Sequence, residues 1–374
     1  MIIEHQGEEP RVLVIGQDSR VLGFVVEEIE AADISVTGAT VGEVDKARNG
    51  PFDLVAFGAG VPPELRAELE RDFRIRNPSV RFLRTYAPYA AAQVVEAVRS
   101  PISGPLVDLQ AYCRRIGFEG PLEPTLPTLR KLQARHVATI PFEAIDVILG
   151  RGIDLSPAAV DAKLLGTHRG GYCYEQNGLF ARVLREIGFE VDSLVASVRW
   201  MTAPGTPPPP RSHRTLRVQA EGVHWLVDVG FGVAVPPTPL RMDTSDPQGT
   251  AHETYRIIPL GAGLLVQALI AHRWQPLYDV SIEPLLENHY EIPNWFASTN
   301  PTSPFRRQLI AARTTSKARY SLLNGRLTVR DGNGKAARWQ LDAVGIKNAL
   351  RTHFLIEPED DWEDMLARAA SLGP

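Results

Sequence analysis

The periodicity of this chain changes once, at residues 100–105, and that change constrains what the whole sequence can fold into. The stretch SPISGP carries two Pro, two Ser and one Gly, the composition of a linker. Before it, strand-like and helix-like segments alternate. RVLVIG (11–16) is a short β-branched run, followed by a helical pattern over 19–31 with Val21, Leu22, Val25, Val26 and Ile29 on one side. ISVTGAT (34–40), FDLVAFGAG (52–60) and SVRFLRTY (79–86) read as three further strands. A charged helix follows Pro62 and Pro63 to about Ile75, and residues 90–100 give a closing helix. Alternation of this kind predicts a small parallel sheet with crossover helices over residues 1–100.

Such a layer resembles receiver-like or flavodoxin-like α/β domains, yet the residues for their chemistry are missing. Gly16 and Gly23 flank the first strand-to-helix turn at a spacing that fits neither the dinucleotide-binding glycines nor the phosphate-binding loop. Receiver domains carry a phosphate-accepting Asp at the end of the central strand, where this chain has Phe57 and Gly58; Asp53 lies at the wrong end and Asp18 stands alone. The expectation is a non-catalytic module for docking or self-association.

After residue 105 the pattern is different. Residues 106–188 are mostly helical, short strands dominate from 189 to about 341, and helical patterns return near 343–352 and 360–370. PGTPPPPR (204–211) is confined by its prolines to extended backbone. Lys plus Arg is 40 and Asp plus Glu is 44, a formal charge of −4 that argues against a nucleic-acid footprint. No run approaches the ~18 apolar residues of a membrane span, and the N-terminus lacks a signal-peptide pattern. The two cysteines, Cys113 and Cys173, cannot make a disulfide framework, so a reducing, cytoplasmic setting is expected.

Cys173 sits in HRGGYCYEQNGLFARVLREIGF (168–189). Leu179, Phe180, Val183, Leu184 and Ile187 recur at helical spacing, with Gly188 as the expected stop and Phe189 closing the turn. Gly170 and Gly171 permit a tight backbone just ahead of the helix, which places Cys173 at or near its N-terminus. The positive end of a helix dipole favours a thiolate, the nucleophilic form. The plain alternative is a small buried thiol. Cys113, in VDLQAYCRRIGF, has no His or Gly support and reads as structural.

A partner lies in RSHRTLRVQAEGVHWLVDVGFG (211–232). Alternation on both sides of Glu221-Gly222 predicts a β-hairpin. A two-residue loop sets Ala220 opposite Val223, brings Thr215 opposite Asp228 and puts His213 on the face of Asp228; a three-residue loop would separate them. Taken alone, His213 reads as a solvated strand end. Asp228, however, interrupts an apolar run where an unpaired acid is costly. Cys, His and Asp together supply nucleophile, base and orienting acid. His224 falls out of register with Asp228 and no histidine pair has metal-ligand spacing, so no metal is expected.

RGGYCYEQN (169–177), IPFEAID (140–146), HRTL (213–216) and DVGFG (228–232) resemble the hallmark motifs of the arylamine N-acetyltransferases, in the family's order, over residues 106–370. The resemblance implies a cysteine-protease-like catalytic core within a three-part α+β fold: a helical bundle (106–188), a β-barrel (189–285) and an α/β lid (286–374). It also implies a Cys173–His213–Asp228 triad and ping-pong acetyl transfer from acetyl-CoA to an arylamine, hydrazine or related amine. Phe142, Val198 and Phe231 match apolar positions of the family's acceptor pocket, and Ser212 precedes the histidine where the acceptor approaches. NWFASTNPTSPF (294–305) resembles the lid motif, which places Phe296 and Thr302 by the coenzyme and Phe305 at the pocket. The N-terminal layer and the proline-rich loop depart from the family pattern. They leave room for an amide synthase that takes a larger acyl group from a carrier-protein or CoA thioester. A thiol hydrolase and a non-catalytic regulatory binding protein are the remaining alternatives.

Overall fold

The computed structural model describes residues 10–77, 80–99, 106–203, 205–207, 209–332 and 334–372. The chain divides into two compact units, residues 1–104 and 105–374. The linker composition at 101–105 lies outside the described residues.

In the first unit, β1 (Val12–Gly16), β2 (Val36–Thr40), β3 (Leu54–Gly58) and β4 (Arg81–Thr85) form a parallel sheet of order β2-β1-β3-β4. The helices are α1 (Ser19–Glu30), the short α2 (Val44–Ala47), α3 (Pro63–Arg76) and α4 (Ala90–Arg99). The apolar runs are continuous because both sheet faces are covered. Val12 and Val14 pack with Leu22, Val25 and Ile29 of α1 and Val94 of α4, whereas Leu13 and Ile15 pack with Leu69 and Phe73 of α3. Val21, which the pattern groups with the apolar side of α1, is exposed. Asp18 caps α1, accepting from Arg20 N and Val21 N. That accounts for the lone acid after the first strand.

The second unit begins with α5 (Leu109–Ile116) and α6 (Leu126–Thr139). A two-residue strand β5 (Phe142–Glu143), α7 (Ile145–Ile148), α8 (Pro157–Asp161) and the long α9 (Cys173–Ile187) follow. Leu179, Phe180, Val183 and Leu184 of α9 pack against Tyr112, Ile116, Leu129 and Leu132, and on the other side against Leu216, Val218 and Val227. This one helix therefore joins the helical core to the first strands of the sheet.

That sheet is antiparallel with eight strands, order β10-β11-β12-β13-β6-β7-β8-β9. Its members are β6 (Glu190–Val198), β7 (Arg211–Ala220), β8 (Val223–Val227), β9 (Leu240–Arg241), β10 (Gln248–Gly249), β11 (Thr254–Leu260), β12 (Gly263–Ile270) and β13 (Arg273–Ser281). Two helices, α10 (Glu291–Thr299) and α11 (Pro304–Arg307), lead into β14 (Ile310–Thr314), β15 (Ala318–Leu323), β16 (Arg326–Asp331) and β17 (Ala336–Gln340). This last sheet takes β5 as its fifth strand, with Phe142 opposite Ala312, so the IPFE segment reaches into the C-terminal part. Helices α12 (Ala343–Phe354) and α13 (Glu363–Ser371) cover it through Leu350, Phe354 and Leu366.

Candidate active site

Cys173 is the first residue of α9, and it is buried. Tyr172, in extended backbone, precedes the helix, and its N–H donates to Glu175 Oε2 at 3.0 Å. The far end stops as expected: Gly188 is left-handed (φ 105) and Phe189 N–H returns to Leu184 O at 2.9 Å. The diglycine serves close approach. A Cβ on Gly170 would stand 2.0 Å from Pro141 O, and one on Gly171 2.8 Å from Glu175 Oε2. Arg169 anchors the same loop, donating to Glu143 Oε1 (3.0 Å) and Glu359 Oε1 (2.9 Å) while lying 4.8 Å over the Trp362 ring.

The hairpin has the expected register. Ala220 pairs with Val223 and the ladder runs to Leu216–Val227, one step short of Thr215 and Asp228. His213 Nε2 meets Asp228 Oδ2 at 2.6 Å. The other ring nitrogen is free of Asp228, and Cys173 lies near enough to the ring to act on its charge. Between β6 and β7 the register slips: Ala196 faces His213, but Ser197 faces Arg211. Ser212 is the extra residue of that bulge, and its carbonyl accepts from Cys173 Sγ at 3.8 Å. Bulges re-aim neighbouring side chains.

Electrostatics follow from these contacts. Burial opposes the imidazolium of His213, but the Asp228 carboxylate and, less strongly, Cys173 outweigh it and raise its pKa to about 10. Burial likewise opposes ionised Asp228, and His213, Asn177 and the Gly230 N–H together hold its pKa down. Each group therefore favours the charged form of the other.

Two residues of the site were not singled out in the sequence. Asn177 Nδ2 donates to Asp228 Oδ1 (3.0 Å) and Arg214 O (2.7 Å), and its Oδ1 accepts from Val229 N–H (3.0 Å). Its signal was available: it stands four residues after Cys173, on the same helix face. Tyr278, whose ring centroid is 5.0 Å from that of His213, arrives through long-range pairing with Val198 and leaves no local signal.

The expected pocket residues separate into two groups. Phe231 lies 5.3 Å from His213 and 5.0 Å from Tyr278, ring to ring. Phe142 and Phe305, 6.1 Å apart, pack in the apolar cluster that contains Tyr172 and Cys173. Val198 sits opposite Tyr278, and Ser212 touches Cys173 through its backbone. Phe296 and Thr302 are not drawn into the cluster around Cys173. Phe296 is exposed on α10, and Thr302 bonds to Asn300 Oδ1 through both its N–H and its hydroxyl. Among the described residues, no group of three or more His, Cys, Asp and Glu could hold a metal ion, and no helix is long and apolar enough to cross a membrane.

A thiol at a helix start, an imidazole and a carboxylate, joined in that order, define a cysteine-nucleophile site on an α+β fold. The family model for N-acetyltransferases matches residues 125–362. The arylamine N-acetyltransferase of Mycobacterium bovis is 40% identical over 260 residues, 69% of this chain and 92% of that protein. The Escherichia coli arylamine N-acetyltransferase is 38% identical over 205 residues, 55% of this chain and 72% of its own length. The solved structure of the Mycobacterium marinum enzyme in complex with CoA superposes with a TM-score of 0.67 at 37% identity, covering 70% of this chain and 98% of that one. The chain belongs to the arylamine N-acetyltransferase family, and its second unit has that family's cysteine-protease-like fold.

Proposed function

We propose that Cys173, His213 and Asp228 carry out acetyl-CoA-dependent acyl transfer to an arylamine, hydrazine or related amine through a Cys173 acyl-enzyme. The observation that carries this assignment is the 2.6 Å bond from His213 Nε2 to Asp228, with Cys173 at the start of α9 bonded through Sγ to the carbonyl of Ser212, the residue before His213.

In the first half-reaction the Cys173 thiolate adds to the acetyl thioester. The C–S bond to coenzyme A breaks, and the departing thiolate takes a proton from the His213 imidazolium. First-turn N–H groups of α9, unpaired within the helix, face the developing oxyanion. In the second half-reaction a neutral amine adds to the acyl-enzyme. His213 accepts its proton as the Cys173 thiolate leaves, help typically worth about 10²–10⁴-fold. Asp228 holds the ring and stabilises its charge. Phe142, Val198, Phe231 and Phe305 wall the acceptor side and keep water from the thioester, with Ser212 beside the incoming amine. Phe296 and Thr302 contact the coenzyme.

The assignment of residues 106–188, 189–285 and 286–374 to bundle, barrel and lid belongs to this reading. So does a cytoplasmic setting, which keeps Cys173 reduced. The strand order β2-β1-β3-β4 supports a flavodoxin-like or receiver-like first unit. It acts as a surface for self-association or for an acyl-carrier partner, without chemistry of its own.

Initial rates over a grid of acetyl-CoA and arylamine concentrations test the two-step route. Parallel double-reciprocal lines are expected; intersecting lines would mean that both substrates must bind before any chemistry.

A further inference from the structure

Between β13 and α10 the chain makes a short 3₁₀ turn, Glu287–Tyr290. Its first residue carries a carboxylate gripped by two arginines that take no part in the acyl-transfer steps. Arg214 donates through Nη1 to Glu287 Oε2 and through Nη2 to Glu287 Oε1, both at 2.7 Å. Arg185 Nη1 stands 3.6 Å from the same Oε1. A bidentate fork of this kind fixes orientation as well as distance.

The two arginines belong to the elements that carry the catalytic groups. Arg214 follows His213 on β7, and its carbonyl accepts from Asn177 Nδ2 of α9 at 2.7 Å. Arg185 lies in the last turn of α9, the helix that starts at Cys173. The Arg214 guanidinium is buried, donates also to Ser193 Oγ of β6 at 2.7 Å and lies 4.5 Å over the Tyr290 ring. Leu285 N–H adds a backbone bond to Ser193 O at 2.9 Å. Glu287 supplies the counter-charge without which a buried guanidinium is costly.

What this joint holds is α10. Tyr290 immediately precedes the helix, is fully buried and packs in the cluster that contains Tyr172, Cys173 and Tyr174. One turn on, Asn294 Oδ1 accepts from Tyr172 OH, and its Nδ2 donates to Ile153 O at 3.0 Å. The outward face of α10 presents Ile292, Trp295 and Phe296 to solvent. Helix α11 has its own anchor, Arg306 Nη1 on Val147 O at 2.8 Å, which holds Phe305 independently of the joint. Phe231 and Val198 pack beside His213 and Tyr278 on the strand side.

Resting on the reading that α10 meets the coenzyme through Phe296, we propose that Glu287 is a positioning residue that sets α10 against the helix of Cys173 and the strand of His213, and so serves acylation by acetyl-CoA rather than transfer to the amine. A two-step route makes the two effects separable. In it, kcat/KM for acetyl-CoA reports acylation, and kcat/KM for the amine reports the second half-reaction.

The test measures both constants on the full chain, with acetyl-CoA and one arylamine, for the unaltered protein, Glu287→Gln and Phe296→Ala. Thermal unfolding establishes that each is folded. Glu287→Gln should lower kcat/KM for acetyl-CoA by about tenfold and leave that for the arylamine within about twofold. If Glu287→Gln does not fold, Arg214→Met/Glu287→Gln, which leaves no buried charge unpaired, supplies the same comparison with the same expectation. Equal losses in the two constants would mean a merely structural role and would overturn the proposal. A selective loss in Phe296→Ala but none in Glu287→Gln would uphold the coenzyme reading and overturn the proposal alone. No selective loss in either variant would overturn both.

Discussion

Asn177, one turn of α9 beyond Cys173, donates to Asp228 Oδ1 at 3.0 Å. The acid that orients His213 is thereby tied to the helix carrying the nucleophile, so all three groups share one rigid frame. Replacing Asn177 by Ala leaves a buried carboxylate oxygen with only the Gly230 N–H at 2.8 Å. The expected cost is about 1.5–3 kcal/mol of stability, the worth of a hydrogen bond to a charged group. Activity should fall by roughly tenfold or more, since a displacement of about 1 Å at the reacting groups costs even more. Thermal unfolding and steady-state kinetics on Asn177→Ala check both.

Asp228→Asn should retain the fold but lose activity by about 10⁴-fold, because the amide stabilises the wrong tautomer of His213. A variant within tenfold of the parent would make Asp228 a structural residue.

Gly230 is a second test of the frame. A Cβ there would lie 2.7 Å from Cys173 Cα and 2.8 Å from Asn177 Nδ2, and the nearer obstacle is backbone. Gly230→Ala should cost about 1–3 kcal/mol through overpacking and slow acylation more than it weakens binding. Stopped-flow acylation with acetyl-CoA separates these effects.

His136 predicts a pH dependence of stability. It is buried between Tyr112 OH (2.9 Å) and Gln176 Oε1 (2.6 Å). Burial lowers its pKa from 6.5 to about 4, against the opposing bond to Gln176. The unfolded imidazole therefore binds a proton that the folded one refuses, and stability present above pH 6.5 is lost as pH falls towards 4. The full loss is about 3 kcal/mol. His213 acts in the opposite sense: its stabilisation is complete below 6.5 and is lost as pH rises through about 10. Melting temperature should thus peak near neutrality, and His136→Gln should flatten the acid limb. An unaltered acid limb in that variant would contradict this assignment.

What could be read from the sequence was what short-range pattern encodes. The start and stop of α9 follow from local periodicity, whereas the alternation around Glu221-Gly222 allows two registers, and the one that pairs His213 with Asp228 is favoured by the cost of an unpaired acid and by the chemistry it permits. The Ser212 bulge, the pairing of Phe142 with Ala312 and the approach of Tyr278 depend on strands distant in sequence, which local pattern does not specify. Asn177 was legible in principle from its helical spacing. The glycines at 170 and 171 were read as conformational freedom, whereas the structure requires them for space.

The central claim is that Cys173 carries the acetyl group between the two substrates. Intact-mass measurement with peptide mapping, after mixing the protein with acetyl-CoA and no amine, tests it directly. One acetyl group is expected on Cys173, none on Cys113, whose thiol burial pushes up in pKa, and none on the Cys173→Ala variant. Addition of an arylamine should remove the label and yield the acetylated amine. Label on Cys113 or on a lysine, or label on Cys173 that survives excess arylamine, would contradict it.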